Sequence, residues 1–324
     1  MIRYIVKRLL LMIPVILGVT WLIFTIMYFT PGDPARIILG TDASEAEIAA
    51  LQEDLGLNDG YVVRFVRYVK QVFIDFDMGE SYINGRNVGE EIGLRFPYTF
   101  RVAAISVVIA VLIGLPLGIV AAVNQFTWKD NAAMMAALVG ISMPGFWVGL
   151  MLSLAFALRL GWLPATGIGG PQYYILPCLS IGLSGCASIA RQTRSGMLEV
   201  IRQDYVVTAR AKGQVEWKVI YWHALMNALI PIITQVGTMF GIQLGGAMIA
   251  ETVFSIPGIG TYMVSGIKNR DYPAIQGSVL YVAVIFGIIM LVVDLLYAFV
   301  DPRIRAQYQS RKARPKKAAA EGGK

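Results

Sequence analysis

Long, uninterrupted apolar runs alternate along this 324-residue chain with charged segments of helical periodicity. Six runs stand out: Leu9–Phe29, Val102–Val123, Ala132–Leu158, Tyr174–Ala190, Ala228–Ala250 and Gly277–Val300. A helix needs roughly 20 apolar residues to cross about 30 Å of hydrocarbon. Tyr174–Ala190 is the shortest run, and Gly277–Val300 carries one acid, Asp294. Strands of an outer-membrane barrel would alternate apolar and polar residues, whereas these runs are continuous. The pattern predicts an all-α polytopic membrane protein with six transmembrane helices.

The segments between the runs are structured too. Ser44 followed by Glu47 reads as a capping box, Ile48, Leu51 and Leu55 recur at helical spacing, and Gly56 supplies a stop. A second amphipathic helix is expected over Tyr61–Phe73, with Phe65, Val66, Val69, Val72 and Phe73 to one side. These two helices form either a structural lid or a docking surface for a solute-delivery protein. Within the runs, glycines recur every four residues at Gly114 and Gly118, at Gly145 and Gly149, and at Gly237, Gly241 and Gly245, a spacing that lets helices approach closely in lipid. Pro116, Pro144 and Pro231 are each expected to kink or start a helix. Gln235 and Gln243 share a face of the fifth span beside its glycines, where an amide either lines a passage or bonds to another helix. Asp294 is expected to pair with a cytoplasmic arginine rather than to relay protons.

Composition makes the membrane reading secure: 56% of residues are hydrophobic, 15% are charged, and mean hydropathy is +0.61. The net charge of +7 is unevenly placed. Arg3, Lys7 and Arg8 precede the first run. Arg191, Arg194, Arg202, Arg210, Lys212 and Lys218 lie between the fourth and fifth runs, and a basic tail follows Val300. The loop after the first run is acidic instead, led by Asp33, Asp42, Glu45, Glu47, Glu53, Asp54 and Asp59. Positive charge stays inside, so both termini are expected to be cytoplasmic. The expected order is a cytoplasmic segment over 1–8, a first span over 9–29, an external loop over 30–100, a five-helix core over 101–300 with a cytoplasmic loop at 191–223, and a cytoplasmic tail over 301–324. A polybasic stretch beside a span faces anionic headgroups, so lipid and not nucleic acid is the expected partner. Cys178 and Cys186 sit about two turns apart on one helix, too far for a disulfide, and read as buried structural thiols. The first run is longer than a signal-peptide core and no A-x-A-like site follows it, so it is expected to be retained.

The chemistry concentrates in the cytoplasmic loop, which runs Asp204-Tyr205-Val206-Val207-Thr208-Ala209-Arg210-Ala211-Lys212-Gly213 and continues to Asn227-Ala228-Leu229-Ile230-Pro231. Ala209 and Ala211 keep a first helix slim, Gly213 ends it at a positive φ, and a second helix follows. The product is a narrow knob shaped to enter a groove on another protein. Thr208-Ala209-Arg210-Ala211-Lys212-Gly213 with the later Asn-Ala-Leu-Ile-Pro resembles the ATPase-docking EAA loop of binding-protein-dependent ABC importer permeases. The likeness extends over nearly the whole chain and is closest to the dipeptide, oligopeptide, glutathione and nickel branch. It includes Pro31-Gly32-Asp33-Pro34, Thr193-Arg194-Ser195, Glu251-Thr252-Val253-Phe254-Ser255-Ile256-Pro257-Gly258-Ile259-Gly260, Arg270-Asp271-Tyr272-Pro273 and Asp294-Leu295-Leu296-Tyr297 with Asp301-Pro302-Arg303. Phe76, before Asp77, stands where that branch often has glycine.

The resemblance implies a type I importer permease in a bacterial or archaeal inner membrane. It implies a second homologous permease subunit, two cytoplasmic ABC ATPase subunits and an external solute-binding protein, with Tyr205, Thr208, Ala209, Arg210, Ala211, Lys212 and Gly213 coupling the chain to the ATPase. No G-x-x-x-x-G-K-[ST] phosphate loop occurs, so ATP and Mg are expected on partner subunits and neither cofactor nor catalysis in this chain. The lone His223 has no metal-ligand companions and reads as a helix-surface or interface residue. A secondary transporter or channel is the rival, but no internal symmetry of paired broken helices supports it; a membrane scaffold is the other. Peptide is the expected solute. Glutathione is the alternative within the branch, and nickel is disfavoured because no His or Cys stack lines a span.

Overall fold

The computed structural model describes residues 2–40 and 43–300, so the basic tail over 301–324 and Asp42 lie outside the described residues. The chain folds as α1 (Ile2–Phe29), α2 (Pro34–Leu39), α3 (Glu45–Asp54), α4 (Tyr61–Phe73), α5 (Val88–Val123), α6 (Trp128–Ser142) and α7 (Gly145–Leu152). There follow α8 (Gln172–Ile201), α9 (Asp204–Ala211), α10 (Glu216–Lys218), α11 (Met226–Gly246), α12 (Met248–Val253), α13 (Ile259–Asn269) and α14 (Tyr272–Val300). Five helical stretches are long and apolar enough to cross a membrane, and α6 with α7 and its continuation to Arg159 makes a sixth if that bent pair counts as one span. The capping box forms as read: Glu47 N donates to Ser44 Oγ and Ser44 N donates to Glu47 Oε2. The amphipathic helix α4 has the boundaries its periodicity predicted.

Two spans depart from the hydropathy reading. The helix carrying the second run begins at Val88, well inside the segment expected to be loop over 30–100. Asn87 caps it by accepting from Glu90 N at 3.2 Å. Glu91 in the first turn is bonded by Arg95 one turn on and by Arg86 before the helix. These paired charges let a helix continue beyond the apolar run, where hydropathy alone stops. The third run, expected as one span over Ala132–Leu158, is broken: α6 and the segment from Gly145 to Arg159 meet at 94°. The break falls at Met143 and Pro144, since proline disfavours helix in the residue before it and removes a donor. Pro116 and Pro231, by contrast, lie inside continuous helices. The second leg of the bent pair ends in π-helix over Ser153–Arg159, and another π segment, Val219–Leu225, joins α10 to α11.

The centre of the bundle is the pairing of α5 with α8. Cys178 Sγ faces Val102 O at 3.7 Å. A Cβ placed on Gly114 would lie 2.5 Å from Cys186 O, and one on Gly118 would lie 2.6 Å from Ala190 O. Numbers rise together on both helices, so they run parallel. The bent pair must therefore return the chain between them, which its 94° break accommodates. Close approach is the available source of adhesion here, because lipid removes the hydrophobic drive between helices. The glycines of α11 serve the same end against α14, with Gly237 over Val293, Gly241 over Phe286 and Gly245 near Val282. Cys178 and Cys186 are buried and free. At the foot of α1 the expected ion pair forms, Arg8 Nη2 to Asp294 Oδ2 at 3.0 Å. The amino end of α1, the carboxyl end of α14 and the α9 knob thus share one end of the bundle.

The opposite end is fastened by buried carboxyl groups. Glu251, fully buried, accepts from Thr99 Oγ1 at 2.6 Å and Thr261 N at 3.1 Å, while Thr99 Oγ1 accepts from Ile259 N at 2.9 Å. A carboxyl group taken from water needs such partners, and these come from α5 and the first turn of α13. Asp271 accepts from Ser81 Oγ and from Tyr82 N at 3.1 Å, tying the segment before α5 to the start of α14. Phe76, in that segment, holds φ at 52° and is 87% exposed, so a bulky residue occupies a conformation that suits glycine. Substituting Ala at Gly114 or Gly118 forces backbone apart and is expected to cost about 1–3 kcal/mol. Thermal unfolding of the purified protein should show both variants melting lower, while Gly18→Ala, where a Cβ meets nothing within 4 Å, should not.

Candidate coupling site

The knob grows from the end of α8. That helix stops at Ile201, Val206 N and Val207 N both donate to Gln203 O, and α9 begins at Asp204. One face of α9 is buried: Val206 and Ala209 pack with Val219 and against Val200 of α8. The other face is open, carrying Tyr205, Thr208, Ala211 and Lys212, with Tyr205 45% exposed. The helix closes as Lys212 N donates to Thr208 O and Gly213 N to Arg210 O, at 3.0 and 2.9 Å. Gly213 then turns the chain at φ 74°, with nothing within 4 Å of where a Cβ would be. The helix–glycine–helix form read from the sequence is therefore present.

Arg210 clamps the turn. Its Nη2 donates to Glu216 Oε1 at 2.7 Å and its Nε to Oε2 at 3.2 Å, linking the two arms across the glycine. The pair is solvent-exposed, which limits its worth to about 1 kcal/mol or less, so it fixes shape more than it adds stability. Beyond it, Val215 and Trp217 are exposed, Trp217 by 67%, and the Trp217 and Tyr221 rings lie 5.6 Å apart. Aromatic surface standing clear beside a narrow helix is the composition of a protein contact. Below the knob the packing is continuous: Ala224 and Ala228 meet Met197 of α8 and Ile119 of α5. A displacement of α9 accordingly bears on α5, α8 and α11 together. His223 sits half-buried in the π segment, where Asn227 Nδ2 donates to its carbonyl oxygen at 2.7 Å.

A second anchor was not legible as such in the sequence. Asp130, buried near the start of α6, accepts from Arg194 Nε at 2.8 Å, from Arg194 Nη2 at 2.7 Å and from Phe126 N at 3.1 Å. Arg202 Nη2 donates to Gln125 Oε1 at 2.9 Å beside it. These bonds lash the α5–α6 turn to α8 just above α9. The available signal was Arg194 just past the fourth apolar run, a charge near the membrane that calls for a partner, but nothing in the sequence placed Asp130 opposite it.

Gln235 and Gln243 are both half-buried on α11, and neither side-chain amide makes a hydrogen bond among the described residues. At ~100° per residue they flank Met239, which packs with Val107, Ala110 and Ile189. The glycines face α14 on the opposite side, so the expected position beside the glycine stripe is corrected. The α8 and α14 contacts, set by tertiary packing, divide the two sets of residues.

Residues 114–306 match the binding-protein-dependent transport system inner membrane component family, and residues 1–103 match the N-terminal membrane component of such systems. The chain belongs to this family. Among its relatives, a dipeptide transport system permease protein of Alkalihalophilus pseudofirmus is 44% identical, with 94% of this chain and all of that protein covered. A glutathione transport system permease protein of Salmonella paratyphi A is also 44% identical, and that of Escherichia coli is 41% identical, each over 94% of this chain and 99% of the relative. The fold is that of a chain in the inward-facing MetNI methionine ABC transporter, at TM-score 0.57 and 15% identity over 65% of this chain and 96% of that one. The protein is thus a multi-pass inner-membrane permease subunit of an ABC importer, and such a system includes an ATPase and a binding protein.

Within the permease, Asp130→Ala leaves the Arg194 guanidinium without its buried partner, a loss expected to cost about 3 kcal/mol. Replacing both, as Asp130→Ala with Arg194→Met, should recover more than half of it. Denaturant or thermal unfolding of the three purified variants measures the difference, and equal loss in the double variant would refute the pairing as the cause.

Proposed function

We propose that α9 and Gly213 form the lever through which ATPase subunits drive this permease. The single observation carrying the reading is a narrow helix with an exposed face of Tyr205, Thr208, Ala211 and Lys212, whose inner face packs on Val200 of α8 and on Val219 of the π segment that leads into α11. The basic residues around it, with the positive-inside bias, put that end and both termini in the cytoplasm. The working complex holds two ATPases, a second homologous permease making a heterodimer, and an external binding protein that docks over the acidic end. ATP and Mg belong to the ATPases; this chain needs neither and catalyses nothing.

In this scheme ATP closes the ATPases, α9 moves with them, and the spans rock outward to accept solute; hydrolysis restores the inward state. Coupling requires the ATPase contact to differ in energy between states. Gln235 and Gln243, whose side chains have no partner among the described residues, take water or the second permease as their partner and line the passage. The solute class is a small peptide. Relatives named for dipeptide and for glutathione transport are matched at the same 44% identity, and glutathione is itself a modified tripeptide.

Gly213→Val places a β-branched residue at φ 74°, costing about 1–2 kcal/mol of local strain and reshaping the turn. In proteoliposomes holding the full importer, the variant should insert normally yet lose solute-stimulated ATP hydrolysis at least tenfold. Gly161→Val imposes similar strain at φ 65° away from the knob and should keep stimulation. Unchanged stimulation in Gly213→Val, or solute transport by the permease with no ATPase present, would reject the coupling role.

A further inference from the structure

A cavity of about 630 Å³ opens between the end of α1, helix α4 and the start of α14, at the end of the bundle away from the knob. Its volume lies within the roughly 300–1,000 Å³ of small-molecule sites. Of the four charged residues on its wall, two are already used. Arg67 is paired with Asp59, and Asp77 accepts from Gly79 N, Gln71 Nε2 and Asn87 Nδ2. Two are not. Arg64, half-buried, donates to Leu57 O at 3.3 Å and lies over the Tyr28 ring at 5.1 Å, but has no carboxylate partner among the described residues. Glu80, on the same wall, has no cationic partner among them and does not reach Arg64.

One helical turn beyond Arg64, the Tyr68 hydroxyl is buried with no hydrogen-bond partner. Burial pushes the Tyr68 phenol well above its ordinary value, so it is a donor at neutral pH. An unmade bond of this kind costs free energy until a ligand or water supplies the acceptor. The rest of the wall mixes apolar side chains, Phe24, Ile38 and Met78 among them, with the polar Ser81, Tyr82 and Gln276. The cavity thus offers a guanidinium and a hydroxyl that lack an anion, a carboxylate that lacks a cation, and apolar surface.

We propose that this cavity is a solute subsite on the permease itself, in which Arg64 and Tyr68 hold the terminal carboxylate of a short peptide and Glu80 holds its terminal amine. Guanidinium–carboxylate bonds are the strong, oriented kind, and backbone termini are common to peptides of any side chain. The apolar wall receives the side chains without selecting among them. The assignment rests on the small-peptide reading above.

The test uses the permease assembled with its partner permease and ATPases in phosphatidylcholine nanodiscs, without the binding protein. Equilibrium dialysis with labelled Ala-Leu should show saturable binding. The C-terminal amide should bind about tenfold more weakly or worse, the loss typical of a charge-assisted bond. Arg64→Gln should weaken Ala-Leu to a similar extent while leaving the amide unaffected, and Arg64→Lys should retain part of the affinity. Glu80→Gln should weaken Ala-Leu but not N-acetyl-Ala-Leu. If Arg64→Gln fails to fold, judged by thermal unfolding, the amide and N-acetyl ligands on the unaltered protein decide the matter alone.

Absence of saturable binding, indifference to both termini, or displacement by inorganic phosphate or phosphatidylglycerol as effective as by unlabelled Ala-Leu would overturn the subsite. Uptake of Ala-Leu by the full importer, measured in parallel, separates the two readings. Uptake without termini-dependent binding sinks the subsite alone, whereas no uptake of any small peptide sinks the solute class.

Discussion

Close backbone approach between α5 and α8 is the constraint on which the rest of the molecule depends. Two parallel helices meet where Gly114 and Gly118 leave no room for a side chain between them and Cys186 and Ala190. Inside a bilayer, burying apolar surface against protein gains little over burying it against lipid, so contact density and satisfied polar groups hold the bundle. Parallel pairing has a topological consequence. The chain must travel back between the two helices, and it does so through α6 and α7, bent by 94° at Pro144.

The two ends of the bundle are built differently. At the end with Glu251 and Asp271, buried carboxyl groups accept hydrogen bonds from residues distant in sequence: Thr99 to Glu251 and Ser81 to Asp271. Such ties are rigid, since a buried carboxyl group that loses its donors has no water to replace them. At the other end, among the described residues, only Asp130, bonded by Arg194, is a buried carboxyl group of this kind, and the remaining pairs, Arg210 with Glu216 and Arg8 with Asp294, are partly or largely exposed. There the knob keeps its form through a glycine turn and a thin apolar seam of Val206, Ala209 and Val219.

Unsatisfied groups show where the subunit is incomplete by itself. Among the described residues, the amides of Gln235 and Gln243 on α11 and the Tyr68 hydroxyl make no hydrogen bond, and around the same cavity as Tyr68 neither Arg64 nor Glu80 has an ion-pair partner. Apolar aromatics stand exposed on the knob, Trp217 foremost. Each of these would be a defect in a protein that works alone. In a subunit of an importer they mark the surfaces that water, solute or another chain must complete.

Local chemistry was legible in the sequence because its causes are local. Hydropathy located the runs that become spans, Ser44 with Glu47 gave a cap, the period of α4 gave its ends, and Gly213 gave a turn at positive φ. The branch resemblance even marked Phe76 as a departure, and that residue proves to sit at φ 52°, a conformation that suits glycine. What the sequence left undetermined were relations between distant residues. Paired charges carried α5 back to Val88, the third run broke in two, and Asp130 found Arg194. A helix is specified by residues three or four apart. Which side of it meets a neighbour, and which charge finds its counterion, is settled only when the whole bundle packs.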